Sequence, residues 1–301
     1  MSQSNSSKRS IGVIGLGLMG TAITERLLEH GFKVHVWNRS QEKAKPLLLR
    51  GAVWSDNPLA DSDQVIISLY SSDIVALVIE QLKSGLRRSQ IIIDTTTGEP
   101  SEAIAMGQYL SSLGVQYLDA PISGSSQQTR DGEAMVMVGG EREAFESCSP
   151  VWKVLAKSVI YTGESGSASR MKLVTNLVLG LNRVALAEGL AFAKGIGVSP
   201  SAALEVLKQS AAYSRVMDVK GEKMIEGNFD VQARLSQHLK DVRIILQLAA
   251  AAQLDLPLSQ LHRDLLERAE GAGLGEFDNS AIIGVYHGFA SKYQTDSTRD
   301  S

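Results

Sequence analysis

The sequence predicts a two-part chain, in which a doubly wound α/β domain with a largely parallel sheet precedes an all-helical domain. Three observations indicate this fold class. Apolar strand patterns alternate with helical patterns through the first half of the chain, as βαβ units require. A glycine-rich turn joins the first strand pattern to the first helical pattern. Beyond about residue 163 only helical patterns follow, and the first runs from about Ser167 to Lys194.

The first strand pattern begins at Ile11 and leads into the glycine-rich turn GLGLMG. In a dinucleotide-binding turn the first glycine allows a tight turn, the second lets backbone approach a pyrophosphate, and the third lets helix pack on strand. Free N–H groups at the helix N-terminus then bind the phosphates. The alternative is an ordinary strand–turn–helix. We predict that the turn binds a dinucleotide through Gly15, Leu16, Gly17, Leu18, Met19 and Gly20.

The second strand pattern, Lys33 to Trp37, ends at Asn38-Arg39-Ser40. NAD enzymes usually carry a carboxylate near this position to accept hydrogen bonds from the ribose 2′-hydroxyl. A carboxylate would repel a 2′-phosphate, whereas the Arg39 guanidinium can bind one through forked, charge-assisted hydrogen bonds. The alternative is that Arg39 is only a solvated residue at a helix start. These three residues predict a preference for NADP(H), with NAD(H) as the second choice.

The later elements divide the chain into four segments. Strands are predicted at 65–69, 91–93, 115–118 and 135–138, and helices at 73–82, 100–113, 142–155, 167–194, from 200, at 235–253 and at 259–272. Residues 1–10 and 293–301 are predicted to be tails. Residues 11–162 form the predicted dinucleotide-binding domain, and residues 163–292 the predicted helical domain for substrate binding and dimerisation.

Composition excludes several classes of protein. The chain has 301 residues, 44% hydrophobic and 21% charged, with a net charge of −3, which is ordinary for two globular domains and argues against a nucleic-acid partner. Its only cysteine, Cys148, forms no internal disulfide, as in a reducing compartment. The polar N-terminus is not a secretory signal. The most apolar helical stretch, 244–252, is too short to span a bilayer. We predict a cytoplasmic protein with no membrane partner.

The best catalytic candidate lies in the long helical pattern. Lys172 and Asn176 are four residues apart, so they share one helical face, and their neighbours are mostly apolar. Burial disfavours the charged form of lysine and lowers its pKa towards the range useful for proton transfer. Asn176 can orient the lysine or bond a substrate hydroxyl. The alternative is a surface lysine whose stem covers apolar neighbours.

Two further candidates follow predicted strands. In DAPISGS, the residues Ser123, Gly124 and Ser125 offer backbone and hydroxyl donors for a small carboxylate, because ligands bind beyond the carboxyl ends of strands in open α/β sheets. The alternative is a plain turn. In DTTT, the hydroxyl of Thr97 can face a nicotinamide or a substrate, unless the threonines only cap the next helix.

The remaining polar motifs carry little chemistry. Lys240 and its neighbour Asp241 lie in a helical pattern, where such pairs are usually solvated charges. No histidine pair has metal-ligand spacing, and no GxSxG elbow is present. The five histidines are His30, His35, His238, His262 and His287. The sequence therefore predicts no metal site and no serine-hydrolase site.

Five motifs in order, GLGLMG, DTTTGEP, DAPISG, GSASRMKLVTN and LKD, resemble the β-hydroxyacid dehydrogenase family, relatives of 3-hydroxyisobutyrate dehydrogenase and of glyoxylate and semialdehyde reductases. The resemblance extends from residue 11 to about 284. It implies a Rossmann-type domain followed by a helical domain like that of 6-phosphogluconate dehydrogenase. It also implies NADP-dependent hydride transfer between a small 3-hydroxy (or 2- or 4-hydroxy) acid and its aldehyde or keto acid, in a homodimer or homotetramer.

The resemblance also implies roles for single residues. Lys172 would be the catalytic acid/base with Asn176 beside it, and Thr97 and Lys240 would contact the cofactor near its nicotinamide. The carboxylate of a small substrate would bind Ser123 and Gly124. The chain departs from the family pattern at Ala168, Thr175 and Ser125, which leaves substrate preference open. Two alternatives are an imine reductase-like enzyme, which Lys172 disfavours, and a non-catalytic NADP(H)-binding module.

Overall fold

The computed structural model describes residues 10–286, and the chain divides into two compact units between Lys172 and Leu173. The unit that ends at Lys172 is called the α/β unit, and the one that begins at Leu173 the helical unit. The predicted tail 293–301, residues 1–9 of the other tail and residues 287–292 lie outside the described residues. Ser10 was assigned to a tail but begins the first strand, where it pairs with Lys33.

Nine strands form one sheet within the described part of the α/β unit. They are β1 (Ser10–Ile14), β2 (Lys33–Trp37), β3 (Val53–Trp54), β4 (Gln64–Ile67), β5 (Ile91–Asp94), β6 (Gln116–Asp119), β7 (Ile122–Ser123), β8 (Met135–Gly140) and β9 (Ser158–Gly163). The order is β3-β2-β1-β4-β5-β6-β8-β7, and β9 also pairs with β8. All pairs are parallel except β6–β8 and β7–β8. The predicted, largely parallel sheet is confirmed.

Helices separate most of the strands. They are α1 (Leu18–Glu29), α2 (Lys45–Leu49), α3 (Pro58–Asp61), α4 (Ser72–Leu82), α5 (Pro100–Ser112), α6 (Ser126–Arg130), α7 (Arg142–Ser147) and α8 (Ser149–Leu155). Successive strand residues point to opposite faces, so Val13 and Ile14 of β1 join two different apolar cores. Because both faces are covered, the central strands are continuous apolar runs.

Two expectations for the α/β unit are wrong in detail. Residues 142–155 form two helices rather than one, because Pro150 in the first turn of α8 lacks an N–H and its ring clashes with a continuing helix. Strand β9 was not predicted; its residues are only partly buried or exposed, so its sequence lacks the apolar run that marks the other strands. The N-terminus of the next helix follows it directly.

The helical unit packs around its own apolar core. Its helices are α9 (Ser167–Gly195), which begins in the α/β unit, α10 (Pro200–Gln209), α11 (Arg215–Glu226), α12 (Leu235–Ala251) and α13 (Pro257–Ala269), followed by a 3₁₀ segment at Asn279–Val285. Fully buried side chains such as Leu190, Leu204 and Met224 fill the core. The predicted all-helical character is confirmed. Helix α11 was missed, since its buried stripe includes the charged Lys220.

Helix α9 corrects the expectation that the apolar helical stretches are too short to span a bilayer. It has 29 residues, and an 18-residue window within it has a mean hydropathy of 1.2. Among the described residues it, rather than 244–252, is the apolar helix that is long enough to cross a bilayer. Length and composition alone make this weak evidence, because core helices of soluble proteins meet the same criteria. The predicted domain boundary at 162/163 falls at the end of β9, ten residues before the division between the units. This boundary and a cytoplasmic location stay predictions.

Candidate active site

The glycine-rich turn between β1 and α1 has the geometry that its spacing predicts. Gly15 has a φ of +97°, a left-handed conformation that favours glycine. A Cβ on Gly20 would overlap the Gly15 carbonyl oxygen, so helix and turn are in direct contact. A Cβ on Gly17 would meet no atom within 4 Å. Leu16 is buried, and Leu18 and Met19 are partly buried, which leaves open space only at the middle glycine.

The N-terminus of α1 offers its backbone N–H groups beside that open space. Gly17 is the N-cap residue, and no side chain of the described residues caps the helix. The first turn of a helix has unpaired N–H groups and the positive end of the helix dipole, which together bind phosphate. The turn therefore has the open space and the N–H groups that a pyrophosphate needs, and the assignment of its residues to the cofactor stays a prediction.

The segment after β2 connects back to this turn. The Asn38 side-chain oxygen accepts a 2.9 Å hydrogen bond from the Leu16 N–H. Its amide nitrogen donates a 3.0 Å bond to the Ser40 carbonyl oxygen. Asn38 thus holds turn and loop together, a positioning role that the sequence did not predict. Arg39 and Ser40 are exposed, and Arg39 makes no hydrogen bond or ion pair with residues 10–286.

The DTTT motif follows β5, and two of its hydroxyls have structural partners. The hydroxyl of Thr95 donates to the Ile67 carbonyl at 2.8 Å, and that of Thr96 accepts the Leu69 N–H at 3.2 Å. Thr97, the predicted cofactor residue, is partly buried, as Thr95 is. The threonine side chains therefore join the ends of two adjacent strands rather than capping α5, whose N-cap residue is Glu99.

The aspartate that opens this motif is fully buried. Asp94 accepts hydrogen bonds from the Thr96 N–H at 2.9 Å and from the Tyr117 hydroxyl at 2.9 Å. Burial raises the pKa of Asp94 to about 6, although these bonds oppose the shift.

The DAPISGS segment contains β7 and the start of α6. Ser125 is the N-cap of α6 in a capping box with Gln128, with bonds of 2.9 and 3.2 Å. The Ser125 N–H donates to the Gln128 side chain and the Ser125 hydroxyl accepts the Gln128 N–H, so both groups cap α6, and a contact of the hydroxyl with a ligand stays a prediction. Ser123 and Ser125 are partly buried and Gly124 is exposed, so Ser123 and Gly124 are distinguished by taking no part in the capping box.

Asp119, at the end of β6, binds the first turn of α9. Its carboxylate oxygens accept the Gly166 N–H at 3.1 Å and the Ser169 N–H at 2.9 Å. Burial raises the pKa of Asp119, and these two bonds oppose the shift. The bonds cap the helix that carries Lys172.

Of the two lysines proposed for the site, Lys172 is more deeply buried than Lys240. It is 7% exposed, whereas its apolar neighbour Val174 is 57% exposed. The Lys172 ammonium donates a 2.8 Å hydrogen bond to the Ile122 carbonyl oxygen, next to Ser123. A surface lysine is therefore the wrong alternative. Two predicted site residues, Lys172 and Ser123, lie side by side in the α/β unit.

The helical unit brings together two other predicted residues through Asp241 of α12. The Asn176 amide donates to one carboxylate oxygen at 2.8 Å. The Lys240 ammonium lies 3.4 Å from the other. Asp241 is 5% exposed, so the expectation of a solvated charge pair is wrong. Asn176 is one helical turn beyond Lys172 in α9.

Sequence reasoning missed the functions of three acids, Asp94, Asp119 and Asp241. Each lies within a motif, but no local pattern shows that it has a partner 23 to 65 residues away in sequence. The position of an aspartate directly after a strand was the available signal for the first two. Among the described residues no group of three or more histidine, cysteine or acidic side chains can hold a metal ion.

Comparisons with known proteins match both units. Residues 10–163 match the NAD-binding domain of 6-phosphogluconate dehydrogenase, and residues 166–286 match the NAD-binding family of NADP-dependent 3-hydroxyisobutyrate dehydrogenase. The chain is similar to the uncharacterized oxidoreductase YkwC of Bacillus subtilis, with 32% identity over 93% of this chain and 98% of that one.

A second relative has a named substrate. The 2-(hydroxymethyl)glutarate dehydrogenase of Eubacterium barkeri is 30% identical over 92% of this chain and 94% of its own. Among solved structures, a 3-hydroxyisobutyrate dehydrogenase from Salmonella typhimurium superposes with a TM-score of 0.85 at 24% identity, covering 93% of this chain and all of the other. This last likeness shows a shared fold.

Proposed function

The chain belongs to the β-hydroxyacid dehydrogenase family of NAD(P)-dependent oxidoreductases, and from this premise we propose that it is an NADPH-dependent reductase of small aldehyde or keto acids. The reaction is reversible, and the opposite direction oxidises a 3-hydroxy (or 2- or 4-hydroxy) acid. The observation that carries the proposal is the buried ammonium of Lys172, bonded to the Ile122 carbonyl beside Ser123.

Lys172 is the proton donor of the reduction. Bound NADPH supplies the hydride. The Lys172 ammonium hydrogen-bonds the carbonyl oxygen of the substrate, stabilises its developing negative charge, and delivers the proton. The Ile122 carbonyl accepts a hydrogen bond from this ammonium and so holds its nitrogen in place beside Ser123.

The substrate carboxylate binds at Ser123 and Gly124, which precede the capping box of α6 and take no part in it. Asn176 bonds a substrate hydroxyl or carbonyl through its side-chain oxygen, because its amide nitrogen donates to Asp241. Thr97 and Lys240 contact the cofactor near its nicotinamide. The chemical class that these donors recognise is a small carboxylate with a carbonyl a few atoms away.

Cofactor preference follows from the segment after β2. Arg39 is exposed and unpaired within residues 10–286, next to the hydroxyl of Ser40, and Asn38 holds the segment against the glycine-rich turn. A guanidinium without a carboxylate partner suits a ribose 2′-phosphate. NADP(H) is therefore the preferred cofactor, and NAD(H) binds more weakly.

Replacing Lys172 tests the mechanism. Lys172→Met keeps the stem and removes the ammonium, so kcat should fall about 10²- to 10⁴-fold, the usual contribution of a general acid. NADPH affinity, measured by fluorescence titration, should stay close to that of the wild type. Lys194→Met, on the exposed last turn of α9, is the control. Near-normal turnover of Lys172→Met would remove the lysine from the mechanism.

Replacing Arg39 tests the cofactor preference separately. A charge-assisted hydrogen bond contributes about 1.5–3 kcal/mol, so Arg39→Ala should raise KM for NADPH by about 10- to 100-fold while KM for NADH changes little. Lys43→Ala, an exposed cation in the next turn of chain, controls for general electrostatic attraction. Equal loss for both cofactors would contradict the assignment of Arg39 to the 2′-phosphate.

A substrate panel identifies the acid. We propose measuring NADPH oxidation with glyoxylate, succinic semialdehyde, tartronate semialdehyde and methylmalonate semialdehyde, and NADP⁺ reduction with 2-(hydroxymethyl)glutarate. Turnover of one or two members sets the chain length of the substrate. Tight NADPH binding with no turnover of any member would favour the non-catalytic module instead.

The assembly is proposed to be a homodimer or homotetramer. Large apolar side chains of α9 and α13, among them Val178, Phe192, Leu258 and Leu261, are more than half exposed in the single chain. Monomers seldom leave this much apolar surface in water. Light scattering coupled to size-exclusion chromatography measures the mass, and a monomer at micromolar concentration would contradict the proposal.

A further inference from the structure

Five ionisable side chains lie buried together in the core of the helical unit, and the proposed reaction uses none of them. They are Arg183 of α9, Lys220 of α11, His238 of α12, His262 of α13 and Asp278, here called the Arg183 cluster. None is more than 7% exposed. Charged groups enter protein interiors only when they are paired and hydrogen-bonded, so each charge in this cluster requires a partner.

Asp278 neutralises Lys220 and has no capacity for a second cation. Its two oxygens lie 2.8 and 2.9 Å from the Lys220 ammonium. They also accept four bonds of 2.8–3.2 Å, from three backbone N–H groups and the Ser280 hydroxyl. A carboxylate has about four lone-pair positions, so these donors occupy it fully. Burial raises the pKa of Asp278, but Lys220 and the hydrogen bonds outweigh burial and lower it.

The Arg183 guanidinium forms no ion pair of its own within residues 10–286, and the charge of Asp278 acts on it only from a distance. Its Nε and Nη1 are inaccessible to solvent and have no hydrogen-bond partner within residues 10–286. Burial lowers the pKa of Arg183 to about 10, so the group is still charged at neutral pH. With Lys220 and Asp278 forming a neutral pair, the cluster carries one uncompensated positive charge. Leaving a buried charge unpaired is among the most destabilising arrangements in proteins.

Two histidine side chains, His238 and His262, lie near the Arg183 guanidinium and carry ring N–H groups that can donate hydrogen bonds. Gly180 lies one turn before Arg183 on α9, and a Cβ there would overlap the rings of His238 and His262. The imidazoles therefore pack on the helix face that Arg183 shares, with ring centroids 5.2 Å apart. Burial and then the Arg183 charge lower the pKa of His262 to about 4. A neutral imidazole adds no charge, and its buried Nε2 has no partner within residues 10–286.

We propose that the helical unit binds one small anion, of the charge and size of chloride, against Nε and Nη1 of Arg183, with His262 beside it. Two guanidinium N–H groups and an imidazole suit an anion, because an anion accepts several hydrogen bonds and cancels the excess charge. A water molecule satisfies hydrogen bonds but leaves the charge. The anion is a structural component of the helical core, bound whether or not cofactor is present.

Thermal unfolding in matched salts tests the site. We propose scanning calorimetry of the full chain without cofactor, replacing sodium gluconate stepwise by sodium chloride at constant ionic strength. Above the dissociation constant, each tenfold rise in chloride should raise Tm of the wild type by about 3–6 °C. Arg183→Met should lose this dependence. Arg243→Met, which removes an exposed arginine from α12 of the same unit, should keep it.

A wild-type Tm that does not respond to chloride overturns the proposal, as does an equal response of Arg183→Met. Where Arg183→Met does not fold, crystals of the wild type grown in bromide decide the question. An anomalous peak at hydrogen-bond distance from Nε and Nη1 of Arg183 supports the anion. Density there without anomalous signal identifies water and refutes it.

Discussion

Removing the Asp119 carboxylate should destabilise the α/β unit and move the proposed catalytic lysine. In Asp119→Ala, two hydrogen bonds to a charged group are lost, from the Gly166 and Ser169 N–H groups. Each such bond contributes about 1.5–3 kcal/mol, and the carboxylate also faces the positive end of the α9 dipole. The desolvation of the carboxylate offsets part of this sum. We expect the free energy of unfolding to fall by about 2–4 kcal/mol.

Urea unfolding followed by tryptophan fluorescence is the suitable assay. The three tryptophans of the chain, Trp37, Trp54 and Trp152, all lie in the α/β unit, so the signal reports on the unit that contains Asp119. The midpoint should fall while the slope of the transition stays constant. Glu164→Ala removes an exposed carboxylate two residues before Gly166 and is the matched control, since it changes the same charge without removing a cap.

The kinetic consequence separates a cap from a general loss of stability. Lys172 lies one turn beyond Ser169 in α9 and is held again by the Ile122 carbonyl. Fraying of the first turn should therefore lower kcat of Asp119→Ala, measured well below its unfolding midpoint, by about tenfold or more. KM for NADPH should change little. An unfolding midpoint equal to that of the control would refute the reasoning, because the two bonds would then contribute nothing.

Two further predictions concern the same unit. Gly20→Ala places a methyl group against the Gly15 carbonyl and should lower the free energy of unfolding without cofactor by about 1–3 kcal/mol. Gly17→Ala should weaken only NADPH binding. Equal unfolding midpoints for the two variants would contradict this prediction. Burial raises the pKa of Asp94 from 3.8 to about 6 in the folded protein. The protonated Asp94 therefore contributes its full stabilisation of the folded state below pH 3.8. This contribution is lost as pH rises through 6, which lowers the free energy of unfolding by about 3 kcal/mol. Asp94→Asn should flatten that part of the stability profile, and an unchanged profile would exclude Asp94 as its source.

The elements that sequence reasoning identified are those with strong periodic patterns. Strand β2 and helix α9 were located to within a residue or so, because continuous apolar runs and long helical periods are local properties. Helix α11 was missed for the opposite reason. Its buried stripe contains Lys220, and only the distant Asp278 makes that position compatible with a core.

The candidate site was predictable to a similar degree. The motif residues came from the sequence, and the structure brings Lys172 beside Ser123 and Asn176 beside Lys240, each pair within its own unit. The contacts that hold them were not predictable. They join residues about 50 to 65 positions apart, and neither spacing nor propensity carries information over that distance.

The three motif aspartates have the same role, because each accepts hydrogen bonds that hold other groups in place. Asp94 and Asp119 each accept a backbone N–H and a second donor, and Asp241 accepts the amide of Asn176. None of the three is more than 5% exposed, so their carboxylates hold other groups in place rather than contacting a ligand. Thr97 and Ser123, which follow the first two acids in the sequence and are partly buried, carry uncharged hydroxyl groups. The anionic substrate and cofactor of the proposed reaction fit this arrangement, since an exposed carboxylate beside either would repel it. The fixed acids therefore position other groups, and in the proposed reaction the proton transfer falls to Lys172.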